Sequence, residues 1–168
     1  MATIREQKLK GKKMPLWTIY HSQDTYTDLE KQELSAQLVK LYPVLPKFYV
    51  SIVFHALSSQ NFFIGGKPAE KFVRVSVDHI ARQFEGDEVL KRKWLRMVTS
   101  TLKPFTVDRG LDWELHVDET PFDLWLIQGM RPPLPGSKGE SCWIEHNRPV
   151  PLPLLDGEQD AFQTRQDP

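Results

Sequence analysis

Leu16-Trp17-Thr18-Ile19-Tyr20-His21, Thr27-Asp28-Leu29-Glu30 and Phe48-Tyr49-Val50-Ser51-Ile52-Val53-Phe54-His55 follow one another in the first third of the chain. Aromatic and β-branched side chains make the first stretch a strand. The second is a capping box, in which a threonine oxygen and a glutamate three residues later satisfy orphan amides at a helix start. Leu34, Leu38, Leu41 and Tyr42 keep helical spacing from there until Pro43 stops the run. The third stretch is a nearly continuous apolar run, which predicts a strand buried on both faces. Strand, helix and strand in this order make a βαβ unit with a right-handed crossover.

The order then repeats. Phe72-Val73-Arg74-Val75-Ser76-Val77-Asp78-His79 alternates like a strand. A helix is predicted from about Asp87 to Lys103, with Leu90, Trp94, Met97, Val98 and Leu102 on one face and Pro104 as its stop. Trp113-Glu114-Leu115-His116-Val117 supplies a fourth strand. Between the halves, Asn61-Phe62-Phe63-Ile64-Gly65-Gly66 is apolar and ends in a glycine pair able to turn sharply. The expected fold class is α/β (α+β in some schemes), two tandem βαβ units forming one four-stranded mixed sheet with both helices on one face. The other sheet face would lie bare, and so much exposed apolar area predicts an oligomer. From Arg131 onward the chain holds seven of its 13 prolines, including Pro132, Pro133, Pro149, Pro151 and Pro153. That density argues against a regular helix there. Trp143, Ile144 and Leu152 suggest an extended arm packed on a neighbouring chain.

Composition sets the outer limits. The 168 residues suffice for one domain of ordinary size, and 26% charged with 40% hydrophobic residues is a globular mixture. Lys plus Arg equals Asp plus Glu at 22 each, so the chain lacks the basic excess of a nucleic-acid binder. The single cysteine, Cys142, rules out an internal disulfide, and nothing around it implies a thiolate. No apolar run is long enough for a membrane span, which points to a soluble, cytoplasmic protein. Residues 1–13 carry Arg5, Lys8, Lys10, Lys12 and Lys13 against Glu6 and read as a flexible basic leader. Residues 14–153 form the expected domain, and 154–168 a polar tail. His21, His55, His79, His116 and His146 lack metal-ligand spacing, and Gly65-Gly66-Lys67 lacks the rest of a phosphate loop.

Met14-Pro15-Leu16-Trp17-Thr18-Ile19-Tyr20-His21, Phe62-Phe63-Ile64-Gly65-Gly66, Val77-Asp78-His79-Ile80-Ala81-Arg82 and Asp118-Glu119-Thr120-Pro121 resemble the tautomerase superfamily. The branch they are most similar to is the fungal tautomerase-like proteins related to cis-3-chloroacrylic acid dehalogenase. The resemblance covers about residues 14 to 153, the C-terminal arm included. It implies a homotrimer, no metal, no organic cofactor, and a small carbonyl or carboxylate substrate. It also implies chemistry at an amino-terminal proline, a role that falls on Pro15. A free α-amine titrates near pH 8 in water, and burial or a nearby cation lowers that value towards neutrality, where it serves as a base. With Met14 attached, however, the Pro15 nitrogen is an amide and has no basic lone pair.

The other site residues follow from the same likeness. Arg82 matches an arginine that grips the substrate carboxylate, a task suited to the guanidinium fork. His79 stands where the dehalogenases have a second arginine. Their helix-end histidine falls on Tyr42, and their water-orienting tyrosine falls near His116. Their water-activating glutamate falls near Ile127 or Gln128, neither of which is a base. Hydration or hydrolytic dehalogenation is therefore disfavoured, whereas enol–keto proton transfer needs only a base, a donor and a carboxylate grip. The expected function is thus a tautomerase acting on a small or medium 2-oxo acid, with Pro15 and His116 catalytic and His79, Arg82 and Tyr42 binding substrate. The alternatives are a non-catalytic metabolite-binding or assembly member, and a lyase, decarboxylase or hydratase using the same pocket.

Overall fold

A computed structural model describes residues 14–80, 84 and 86–151. Its elements are β1 (Met14–Ser22), α1 (Asp28–Lys40), β2 (Ser51–Leu57), β3 (Phe63–Ile64), β4 (Lys67–Pro68), β5 (Phe72–Ile80), α2 (Glu88–Leu102), β6 (Asp112–Thr120) and α3 (Lys138–His146). The large sheet has the order β2-β1-β5-β6. β1 and β2 are parallel, as are β5 and β6, while β1 and β5 meet antiparallel. Each βαβ unit therefore contributes one parallel pair, and the two units join at the middle of a mixed sheet.

Strand alternation decides what each face buries. Trp17 stands opposite Val77, Ile19 opposite Val75 and His21 opposite Val73. All six are at most 1% exposed. Against this face α1 packs Leu34 and Leu38, and α2 packs Trp94, Val98 and Leu102. Each such side chain stabilises the fold by about 1.5–3 kcal/mol when fully buried. The caps are those of the sequence reading for α1: Thr27 accepts from the Glu30 amide while Glu30 accepts from the Thr27 amide. Asp87 caps α2 through the amides of Val89 and Leu90. The glycine pair also turns as expected, with φ of 57° at Gly65 and 78° at Gly66 joining β3 to β4.

Three expectations are corrected. Phe48 and Tyr49 belong to a 3-10 turn at Lys47–Tyr49, so β2 starts only at Ser51 and is an edge strand with alternate residues exposed. Their rings leave the sheet to meet the C-terminal segment, which is why an unbroken apolar run did not make a doubly buried strand. Secondly, that segment does contain a helix. The prolines lie outside Lys138–His146, Ser137 accepts from the Glu140 amide to start α3, and Asn147 ends it at φ 47°. The helix packs on its own chain rather than as an extended arm. Trp143, 1% exposed, lies near the rings of Phe48 and Tyr49 at 6.0 and 6.1 Å. Trp125 stands 5.0 Å from Tyr49. Thirdly, the uncovered sheet face is not a broad apolar patch. It carries Thr18, Tyr20, Ser76 and His116, and the cross-strand pair of Arg74 with Glu114, beside Leu16, Val53 and Leu57. The readings for residues 1–13 and for 154–168 fall outside the described residues. Among the described residues no helix is long and apolar enough to cross a membrane.

Candidate active site

At the end of the sheet where β1 begins and β5 and β6 finish, three residues stand in one row. Pro15 pairs with His79, and His79 with Glu119. Strands lie about 4.8 Å apart, so the row spans roughly 10 Å. Pro15 is buried and sits just beyond the β2 ladder, which starts at Leu16 opposite Ser51. A strand end is where the missing N–H of proline is tolerated.

α1 and α2 close over this row from the helix side. α1 ends at Lys40 and is capped by Leu41, which delivers the next residue, Tyr42, to the start of β1. The Tyr42 hydroxyl lies 3.2 Å from His79 Nε2, making a buried hydrogen bond. His79 is 0% and Tyr42 7% exposed. Rings complete the enclosure: the His79 centroid is 4.5 Å from that of Trp94 and 5.8 Å from that of Phe84. The Trp17 ring is tilted 35° against that of Trp94, 6.2 Å away, on the same side. Burial pushes the Tyr42 phenol well above its ordinary pKa, partly opposed by the indoles of Trp17 and Trp94 nearby. The Trp17 N–H favours the ionised phenol by proximity while falling short of hydrogen-bond geometry. At neutral pH the phenol therefore keeps its proton and acts as a neutral hydrogen-bonding group.

Of the sequence-derived site residues, the structure brings together Pro15, His79 and Tyr42. Arg82 lies outside the described residues. His116 is elsewhere: it pairs with Ser76 on the uncovered face, with its Nε2 3.7 Å from Asp118 Oδ2 and its side chain 53% exposed. Within one chain the sheet separates it from Pro15. Gln128 occupies an exposed turn at φ 51° between Ile127 and Met130. The Cys142 thiol lies 3.7 Å from His146 Nδ1, but that nitrogen is 2.9 Å from the Cys142 carbonyl, to which it donates as in an ordinary helix-end contact.

Sequence reasoning missed Trp17, Trp94, Phe84 and Glu119 as parts of the site. For Trp17 and Glu119 a signal existed, since β1 alternation puts Trp17 on the face of Pro15, and Glu119 lies in one of the motif segments. Phe84 had none, because it belongs to no strand or helix whose periodicity could place it. Glu119 Oε1 accepts from the Phe84 amide at 2.6 Å.

A separate open cleft of about 450 Å³ lies at the opposite end of the sheet, lined by Ser22, Asp24, Thr25, Ser58, Glu70 and Arg109 among others. Its one cation is already engaged. Arg109 donates to the Thr25 carbonyl at 2.6 Å, pairs with Glu30 at 3.1 Å and lies 5.1 Å from the Tyr26 ring centre. That makes it a latch between α1 and the β1 end.

Known proteins share this fold. RhCC from Rhodococcus jostii RHA1 is 38% identical and superposes with a TM-score of 0.78, over 82% of this chain and 99% of its own. A probable enzyme from the thermophilic fungus Aspergillus fumigatus is 39% identical at a TM-score of 0.79, over 83% of this chain and 99% of its own. N1, a member of the cis-3-chloroacrylic acid dehalogenase family, shares the fold at 20% identity and a TM-score of 0.61, over 79% of this chain and 97% of its own. No curated protein sequence matches the chain. The sequence model of one family covers residues 14–148, that is, the whole sheet with its three helices, and by that match the chain belongs to the putative oxalocrotonate tautomerase enzymes.

Proposed function

We propose that the protein is a tautomerase of small or medium 2-oxo acids, with the Pro15 nitrogen as base once it is an amino terminus. The observation that carries this reading is the row itself. Pro15 lies buried against His79, which is hydrogen-bonded to the Tyr42 phenol, a group that keeps its proton at neutral pH. An amine in such a place loses more in its charged form than in its neutral one, so its pKa falls and it is a free base near neutral pH. The proton it takes from an enol oxygen or an α-carbon returns at the other atom. The hydrogen-bonding groups of the floor would steady the enolate oxygen between the two transfers. Arg82 would hold the substrate carboxylate. His116 takes no part in the pocket of its own chain.

Arg82→Ala should weaken binding of a 2-oxo acid such as phenylpyruvate by about 1.5–3 kcal/mol, the range of a charged hydrogen bond. Its melting temperature should hardly move. Calorimetric titration and a thermal melt check both, and lost stability without lost binding would make Arg82 a structural ion-pair partner instead.

We also propose a homotrimer. The uncovered sheet face supports it: rows of Thr, Ser, Tyr and His, with leucine and valine between them, can close on copies of the chain through hydrogen bonds as well as apolar contact. Light scattering should give about three times the chain mass of 19.5 kDa. A concentration-independent monomer would overturn this assembly.

A non-catalytic binding member is the second reading, and the Met14–Pro15 amide favours it for the chain with residues 1–14 attached. The comparison of blocked and free Pro15 given below separates the two.

A further inference from the structure

We propose that Glu119 is a positioning residue of the site. Its carboxylate holds the Phe84 backbone so that the Phe84 ring seats against His79 and Trp94, and this fixes the His79–Tyr42 pair beside Pro15. Glu119 closes the cross-strand row as the β6 neighbour of His79. Its Oε1 accepts the Phe84 amide at 2.6 Å, a short bond of the charge-assisted kind. Phe84 lies four positions beyond Ile80, the last residue of β5, and is only 7% exposed although no regular element contains it. Its ring meets His79 at 5.8 Å and Trp94 at 5.8 Å. His79 in turn bonds Tyr42.

Loop residues keep a single place only when something other than a helix or a ladder fixes the backbone. The Glu119 bond fixes the amide side of Phe84 from 35 residues away in sequence, at the level of Pro15, while the Phe84 carbonyl accepts from the Asp87 amide at 2.7 Å. The carboxylate is turned to the Phe84 amide in a part-buried hydrogen bond, so it acts through Phe84. The proposal rests on the tautomerase reading for its consequence on turnover, but not for the contact chain.

The test compares Glu119→Gln, whose amide oxygen can still accept the Phe84 N–H, with Glu119→Ala, which cannot. Glu119→Ala should speed hydrogen exchange of the Phe84 amide about tenfold or more and shift the His79 ring resonances in NMR spectra. Glu119→Gln should restore both towards the parent. With free Pro15, Glu119→Ala should lower kcat about 3- to 30-fold at a nearly unchanged KM, and Glu119→Gln should recover most of it. Unchanged Phe84 exchange or unmoved His79 resonances in the alanine variant would overturn the proposal. So would a glutamine variant as impaired as the alanine one, because charge and not positioning would then be at work. The exchange and resonance readings need no activity, so an inert parent would sink the tautomerase reading and leave this one decided.

Discussion

A chain that begins at Pro15 should interconvert enol and keto forms of phenylpyruvate about 10²- to 10⁴-fold faster than the chain with Met14 still attached, the range expected of general base catalysis. In the longer chain the Pro15 nitrogen shares its lone pair with the Met14 carbonyl and cannot accept a proton. Freed, it is a secondary amine, buried beside the hydrogen-bonded His79–Tyr42 pair. Burial disfavours the ammonium form, so the amine pKa falls below the value near 8 of an ordinary terminus. The sign follows: the active form is the unprotonated one, and the rate should climb with pH through that depressed pKa and be lost as pH falls below it. Pro15→Ala in the shortened chain keeps an amine, now primary, and should keep part of the rate, while acetylating the terminus should abolish it. Mass spectrometry of each preparation and an absorbance assay at several pH values suffice. Equal turnover by a verified-uncut chain would remove Pro15 as the base. Inertness of both chains on several 2-oxo acids would favour the binding-only member.

How much of this was legible without coordinates varies by element, for physical reasons. β1, α1, β5 and α2 were readable because each is specified locally, by alternation, by a capping box or by helical spacing between stops. The antiparallel junction of β1 with β5 is a long-range choice that neither βαβ unit specifies by itself. Phe48 and Tyr49 misled because their apolarity serves Trp125 and Trp143, which lie about 75 to 95 residues further on. α3 was hidden by its surroundings: proline density over a long window says nothing about nine residues that contain none. In the site, Pro15, His79 and Tyr42 came from the family pattern, and the pairing of strands explains why they meet. Glu119 and Phe84 could not be joined from the sequence, since one hydrogen bond across the end of the sheet connects them.

Trp143→Ala should destabilise the protein by about 3–5 kcal/mol, the usual cost of emptying a buried tryptophan site. At roughly 2–4 °C per kcal/mol for a chain of this size, the melting temperature should fall by roughly 6–20 °C. Two losses combine. The indole is 1% exposed among Phe48, Tyr49 and the Trp125 side of the core, so its removal leaves a cavity that the 3-10 turn and α3 cannot easily fill. Its N–H donates to the Val150 carbonyl at 2.7 Å, which ties down the chain after α3. Trp143→Phe separates the two losses, because a ring remains but the donor is gone; about 1 kcal/mol of the total should belong to the hydrogen bond. Tyr49 should be the first neighbour to respond. Its hydroxyl is buried with no hydrogen-bond partner among the described residues, and burial together with the Glu140 charge pushes its pKa up, so this phenol depends on close packing around it. A chain with Trp143→Ala that melts within a degree of the parent would mean that α3 contributes little to the fold. The consequence reaches the site through β2: the turn that Trp143 braces ends at Tyr49, two residues before Ser51 pairs with Leu16, and Leu16 follows Pro15. Activity lost in this variant should therefore return on cooling below its melting range, as a stability effect does and a missing catalytic group does not.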